Sequence, residues 1–190
     1  TLGLQWHTAA EPPYSLLKAC NPMPFTPFHM GAGLALKAVA GRHFSVLTFG
    51  IAQVAMDIEP LVGMLRGAAV LHGPTHTYLG AVPIALATAV LAPWLCRPLL
   101  KRWNQEVTHY RAPWLAEDER RKPRTVLLSA LAGTWSHVLL DSVMHADITP
   151  WAPWTDANGL YAWIPLPTLH ALCVAGMAGG AAAWMLGGVG

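Results

Sequence analysis

Polar and apolar positions along this chain form long apolar runs cut by short polar breaks, rather than the alternation of a half-buried strand. Residues 1–25 are Pro-rich and read as an irregular N-terminal segment. Thr26-Pro27 then has the form of an N-cap followed by Pro at the first helical position. FHMGAGLALKAVA, residues 28–40, predicts a short apolar helix, and Gly41-Arg42 a turn. HFSVLTFGIAQVAMD, residues 43–57, predicts a second apolar helix that Pro60 ends or kinks. Residues 58–75 are mixed, with room for a short interfacial helix. THTYLGAVPIALATAVLAPWLC, residues 75–96, supplies the roughly 20 residues that span a bilayer core. Residues 125–145 and 168–186 predict two further spans, the last with Gly176, Gly179 and Gly180 for close helix packing. Between them, residues 147–167 are rich in Trp, Pro and Gly and read as an ordered interfacial loop. The expected fold class is all-α: a polytopic membrane helix bundle of roughly four to five membrane helices, by span length, in one membrane-embedded domain over residues 1–190.

Composition agrees. Hydrophobic residues make up 54% and charged residues 12%, against about 25% charged in soluble domains, and mean hydropathy is +0.37. Nine Trp and 16 Pro fit as well, since Trp favours the bilayer interface and Pro is tolerated in membrane helices. Cys20, Cys96 and Cys173 are far apart and form no CxxC pair, so they read as free apolar residues. The first residues do not read as a cleavable signal peptide.

Charge placement adds an orientation. Residues 97–124 hold eight of the chain's 12 Lys and Arg, mixed with Glu106, Glu117, Asp118 and Glu119. The interspersed acids and flanking apolar runs point to a basic cytoplasmic loop, not a nucleic-acid surface, and no nucleic-acid partner is expected. From that loop, 1.5 Å per residue carries the chain about 30 Å from Cys96 back to Thr75 on the far face. The stretch His137 to His145 falls in the far half of its span. The turn at Gly41-Arg42, close to Lys37, falls on the cytoplasmic side, which sends His29 and Asp57 to the far face. Four polar clusters are thus predicted to meet at one depth.

Those clusters carry the candidate chemistry. Asp57, Glu59 and Asp141 lie in or at the ends of apolar runs, where an acid costs about 2.5–3.5 kcal/mol to insert and marks function by default. His137 and Asp141 form HxxxD, whose i and i+4 side chains share one helix face, and His145 continues the spacing. His72 and His76 form HGPTH, where Pro74 predicts a helix start that leaves His72 in the preceding loop and His76 in the first turn. Imidazole and carboxylate suit zinc, manganese or ferrous iron. Each motif alone has a plainer reading, because HxxxD is common and a lone helical His is more often a hydrogen-bonded core residue. Their shared depth carries the metal reading. His43 and His109 read as solvated, and His7 and His170 carry no assignment.

At these residues the chain resembles the family of LexA-binding, inner-membrane proteins described as metal-dependent hydrolases. That family shows an early His on an apolar helix, a PDxD-type stretch, an HRGxTHS-type box, and an SHxxxD box followed by a Pro-rich segment. Here FHMGAG, AMDIEP, HGPTHT and SHVLLDSVMHADITPWAPW stand in the same order, from Phe28 to Trp154. The chain departs from the pattern at Met56, at Glu59 and in lacking the Arg of HRG. The family is remotely similar to zinc-dependent phospholipase C and P1-type nucleases. The resemblance implies a multi-pass protein of the bacterial inner membrane. Its implied ligands are His29, Asp57, His137, Asp141 and His76, with His72 the other box candidate and His145 an extension. One or two divalent ions are implied, zinc first, with manganese or iron as alternatives.

The expected activity is metal-dependent hydrolysis through activated water, and the remote similarity implies a phosphoester or lipid-like substrate. Glu59 and Asp147 are the candidates for general base or for orienting a His ligand, and Thr75 is the candidate substrate contact. Membrane lipids and a small-molecule or lipid substrate are the expected partners; no residue pattern indicates a protein partner. Trp151, Trp154 and Trp163 would ring the site, with interfacial anchoring as their simpler role. The alternatives are a non-catalytic scaffold or regulator with a structural metal, and an ion or proton transporter, which requires a polar path to both faces.

Overall fold

The computed structural model of the chain describes residues 28–186; the predicted cap at Thr26-Pro27, the irregular segment 1–25, His7 and Cys20 lie outside them. Among the described residues every regular element is helical: α1 Met30–Ala40, α2 Val46–Met56, α3 Ile58–Leu65, α4 Ala81–His109, α5 Pro123–Met144 and α6 Leu166–Met185. Four segments, residues 46–65, 81–109, 123–144 and 166–185, are long and apolar enough to cross a membrane by length and composition. The protein is an all-α membrane bundle. α1, at 11 residues, is too short to cross alone, because a span needs about 20.

Local chemistry sets the helix ends. Ser45 caps α2, its hydroxyl accepting from Thr48 N at 3.3 Å. The chain breaks between α2 and α3 at Asp57, three residues before Pro60. Pro60 has no N–H for the Met56 carbonyl, so the kink expected of it appears one turn upstream. α4 begins at Ala81, not at Pro74; residues 74–76 form only a 3₁₀ turn. Thr77 is extended there. Its hydroxyl donates to Pro74 O at 3.0 Å and accepts from Gly80 N at 2.8 Å, closing a tight turn in place of a helix start. A Cβ at Gly80 would overlap the Pro74 carbonyl.

The predicted loop over residues 97–124 is helical for its first half. α4 runs unbroken for 29 residues through Pro93 and Pro98, about 43 Å at 1.5 Å per residue. That exceeds a hydrocarbon core of about 30 Å, so Arg97, Lys101 and Arg102 sit on a helix that outlasts the apolar segment.

α5 is the most buried of the four spans. It packs against α2 and α4, while α1 packs against α6. The core residues are mostly small, with Ala52, Ala85, Ala92 and Ala130 fully buried around Phe49 and Met56. A Cβ at Gly133 of α5 would come within 2.7 Å of the Ala52 Cβ. A Cβ at Gly180 of α6 would overlap the Leu34 backbone, and one at Gly31 the Cys173 carbonyl. Gly179, expected to join this contact, faces open space instead. Leu86, Val90 and Trp94 on α4 and Leu172 on α6 are exposed on the outside, as lipid-facing residues should be. Cys96 and Cys173 are free and buried.

One end of the bundle is closed by charge. Lys37 Nζ meets Glu117 Oε1 at 2.5 Å, and Arg121 pairs with the same carboxylate. Arg121 Nη1 also donates to Phe44 O at 3.0 Å and Arg42 O at 3.2 Å. The turn after α1, where Gly41 takes a φ of 52°, is thereby tied to the basic segment. His29, Asp57, the HGPTH turn and Asp141 gather at the opposite end.

The glycine contacts predict opposite effects from neighbouring substitutions. Gly180→Ala forces a methyl against the α1 backbone and is expected to cost about 1–3 kcal/mol. Gly179→Ala meets nothing and is expected to be neutral or stabilising by up to about 1 kcal/mol through helix propensity. Thermal aggregation midpoints of the two variants in detergent provide the check.

Candidate functional site

α5 presents His137 and Asp141 one turn apart on its buried face, His137 with no exposed surface and Asp141 with 4%. The Asp141 carboxylate is the hub. Its Oδ1 lies 3.3 Å from His29 Nε2, and its Oδ2 lies 3.0 Å from His137 Nε2 and 3.7 Å from His76 Nε2. His29 comes from the residue before α1, and its ring centre stands 4.8 Å from that of His137. Asp57, placed at the α2–α3 break, sets Oδ1 3.4 Å from His137 Nε2. The predicted convergence of His29, Asp57, the HGPTH turn and HxxxD therefore occurs.

His145 leaves the stripe that its spacing suggested. It is the C-cap of α5 with extended backbone, φ −119° and ψ 124°. Its N–H still donates to Asp141 O at 2.8 Å. Its ring instead faces His72, 4.4 Å between centres. Both HGPTH histidines are buried, with ring centres 4.9 Å apart.

The donor atoms fall into three groups, each mutually within 4.8 Å: His29, His137 and Asp141; His72, His76 and Asp141; His72, His145 and Asp147. The first two share Asp141. All donors are imidazole nitrogens and carboxylate oxygens, the set that suits zinc, manganese or ferrous iron.

An outer ring of polar residues fixes the imidazoles. Gln53 Nε2 donates to Gly133 O at 3.1 Å and Ser136 Oγ at 3.0 Å. A backbone carbonyl can only accept, so the amide nitrogen must face it. Gln53 Oε1 therefore accepts from His137 Nδ1–H at 2.7 Å. In neutral His137 this leaves Nε2 as a bare lone pair between the Asp57 and Asp141 carboxylates, and no hydrogen bond satisfies that atom. A lone pair against two carboxylates is repulsive until a cation comes between them.

Glu59 and Asp147 act on the other two imidazoles. Glu59 Oε2 lies 3.3 Å from His76 Nδ1, accepts from Gly73 N and Thr75 N at 3.2 and 3.3 Å, and accepts the Thr75 hydroxyl. His76 Nε2 is turned inward and is also buried without a hydrogen-bond partner. Asp147 places both oxygens 3.0 Å from His72 Nδ1. Both carboxylates thus contact the outward nitrogen of a His, and the Thr75 hydroxyl hydrogen is engaged with Glu59.

Burial favours the neutral form of three of the histidines. It pulls His29 and His76 down to about 4, Asp141 only partly opposing it, and it lowers His145 as well. Asp147 stays below the usual carboxylate range, because its contacts with His72 outweigh the upward push of burial. Neutral His and ionised Asp are the forms that ligate metals. A cavity of about 100 Å³ opens beside them, lined by His29, Asp57, His72, Asp141 and His145 and walled by Leu61 and Met64 of α3.

The remaining candidates lie elsewhere. His43 and His109 are exposed. His170 of α6 stacks on Phe28, next to His29, at 4.6 Å. Trp151, Trp154 and Trp163 are exposed, Trp151 against Tyr78 at 4.8 Å. Gln53 is the member of the candidate site that motif reading missed; its signal was an amide inside the apolar run, one turn before Asp57.

The model of the family described as Domain of unknown function (DUF4184) matches residues 23–162, a stretch that holds every donor named above and stops before α6. Neither a curated protein nor a solved structure matches the chain significantly.

If the site holds a metal, Gln53→Leu should weaken its binding roughly 10–100-fold, the usual effect of removing an orienting partner. Ser136→Ala, which removes one partner of the Gln53 amide nitrogen but leaves Gln53 Oε1 on His137 Nδ1 and Nε2 on the Gly133 carbonyl, should retain binding. Titration of the detergent-purified protein with zinc in a competitive chelator assay distinguishes them.

Proposed function

The chain belongs to the DUF4184 family, and for it we propose a membrane-bound, metal-dependent hydrolase acting on a phosphoester or lipid-like substrate. The supporting observation is the inward pair of bare imidazole nitrogens, His76 Nε2 and His137 Nε2, buried around the Asp141 carboxylate. His29, His137, Asp141 and Asp57 would hold one divalent ion, zinc first among the candidates. His72 and His76, with Asp141 in common, would hold a second. His145 stands ready beside His72 to complete that set. Such an ion acts as a Lewis acid on the phosphoester and lowers the pKa of bound water towards about 7.

The protein's own groups do the rest. Gln53, Glu59 and Asp147 are positioning residues, each facing the outward nitrogen of an imidazole and turning the other inward. Asp57, whose side chain is 30% exposed, lies where the cavity meets the donors. Leu61 and Met64 keep the cavity apolar on its outer side. The cavity beside the donors favours catalysis over a sealed structural metal.

The basic end is proposed to be cytoplasmic in a bacterial inner membrane, by the positive-inside rule. In right-side-out vesicles, a cysteine at exposed Ala116 (in a chain otherwise free of Cys) should resist an impermeant maleimide until the membrane is permeabilised. Labelling before permeabilisation reverses the orientation.

Metal content of the purified protein, read by mass spectrometry, tests the centre. Near-stoichiometric metal that His137→Ala and Asp141→Ala each abolish is expected; metal unchanged by both removes the proposal. Hydrolysis is tested with the metal-loaded protein on panels of phospholipids and nucleotides. Turnover that disappears on chelation supports it, and inertness across the panels leaves a structural role for the site.

A further inference from the structure

A second cavity lies on the outer face of the bundle. It is a groove of about 1130 Å³ between α2–α3 and α4, almost wholly apolar, with Gly50, Val54, Ile58, Ala87, Leu91 and Leu95 among its walls. Its polar members are Thr88 and the pair that backs His76, Glu59 and Thr75. Val54 and Ile58 line both this groove and the small cavity beside His29, Asp57 and Asp141. The groove therefore reaches the donor cluster around the α2–α3 break.

From this we infer that the groove holds one hydrocarbon tail of a membrane lipid, with its phosphate-bearing headgroup at the cavity beside Asp57 and Asp141. The headgroup half of this assignment rests on the hydrolase reading; the tail half stands on the groove alone. Both walls belong to membrane-crossing segments, so the groove faces bilayer hydrocarbon. Along α4 it runs from Ile84 to Leu95, about 16 Å at 1.5 Å per residue. That is one leaflet of a core about 30 Å thick. It also starts at the right depth, because α4 begins at Ala81 on the end that carries the donors. A lipid of that leaflet has its headgroup at this end and its tail pointing along the groove, so no inversion of the lipid is required.

The groove supplies orientation more than affinity. Lipid tails are as apolar as Leu, so exchanging bilayer for groove gains little by the hydrophobic effect. A tail laid between α2 and α4 holds the headgroup at the Val54–Ile58 mouth, a positional advantage for any reaction there. The substrate class is thereby narrowed to a phosphoester carrying a long unbranched chain.

The test uses phosphatidic acid with a diazirine at mid-tail, in phosphatidylcholine vesicles containing the metal-loaded full chain. After irradiation, cross-links mapped by peptide mass spectrometry should concentrate on residues 46–62 and 84–95. Ala87→Trp, at an exposed position on the groove wall, should reduce them severalfold. Leu86→Trp, exposed but outside the groove, should leave them unchanged. Labelling spread evenly over α4 and the outer face of α6, and indifferent to Ala87→Trp, overturns the inference, as does a partner helix cross-linked in the same place. Hydrolysis is scored separately as phosphate released from the vesicle phosphatidic acid and from a soluble phosphomonoester. Grooved labelling without turnover keeps the tail site and removes the hydrolase, and even labelling with turnover does the reverse.

Discussion

The structure turns on one constraint: a carboxylate, Asp141, buried in the most enclosed helix of an apolar bundle. A charge in that setting is tolerated only when partners surround it, since desolvation costs several kcal/mol even after relaxation. The bundle answers with three imidazoles drawn from three other positions in the chain. His29 arrives with α1, His76 with the HGPTH turn and His137 from one turn below on α5 itself. Each of those deliveries needs a structural device. The α1–α6 contact works because Gly31 and Gly180 let the backbones touch. The HGPTH turn works because Thr77 and Gly80 stop α4 from starting early. Asp57 reaches His137 because Pro60 breaks the helix beneath it.

Imidazoles alone do not resolve the charge, because their tautomers matter. Gln53 commits the Nδ1 hydrogen of His137 outward, and Glu59 and Asp147 face the same atom of His76 and His72. These orienting residues are acceptors on all three rings. A site built to hold Asp141 by hydrogen bonding would have turned the N–H groups inward. When neutral, His137 and His76 turn lone pairs inward, and a lone pair facing a carboxylate is relieved by a cation between them. The outer ring is thus the part of the site that most favours the proposed metal, although its members would not be ligands.

Much of this was legible in the sequence, and what was not has physical causes. Hydropathy located the spans, and charge with rise per residue put the four polar clusters at one depth. Hydropathy reports depth and not helicity, so α4 past Cys96 read as a loop when it is a helix that leaves the apolar layer, carrying Arg97, Lys101 and Arg102. Pro74 read as a helix start because Pro at N1 is a common signal, but the side chain of Thr77 captured the turn. His145 had ligand spacing, yet the helix ended at Met144 and swung its ring to His72. Gln53 showed only as an amide in an apolar run, because its place in the site depends on the Gly133 carbonyl 80 residues away. Of the glycines in α6, Gly179 and Gly180 are indistinguishable by composition, and only the facing of the helix separates them.

The two cavities and the α2–α3 break belong to one design. Had α2 continued straight, Asp57 would have stayed on a helix face and Val54 and Ile58 would have lain on one continuous ridge. The break instead makes Val54 and Ile58 a shared wall, with hydrocarbon on one side and the donor cluster on the other. Polar chemistry inside a bilayer needs such a wall, because the reacting group must stay with its ligands while the chain attached to it stays in oil. A purely structural centre has no use for that arrangement, since it is more stable fully enclosed. On the proposed reading, donors at the depth where a headgroup meets its tail are what would separate a catalyst for lipids from a staple between helices.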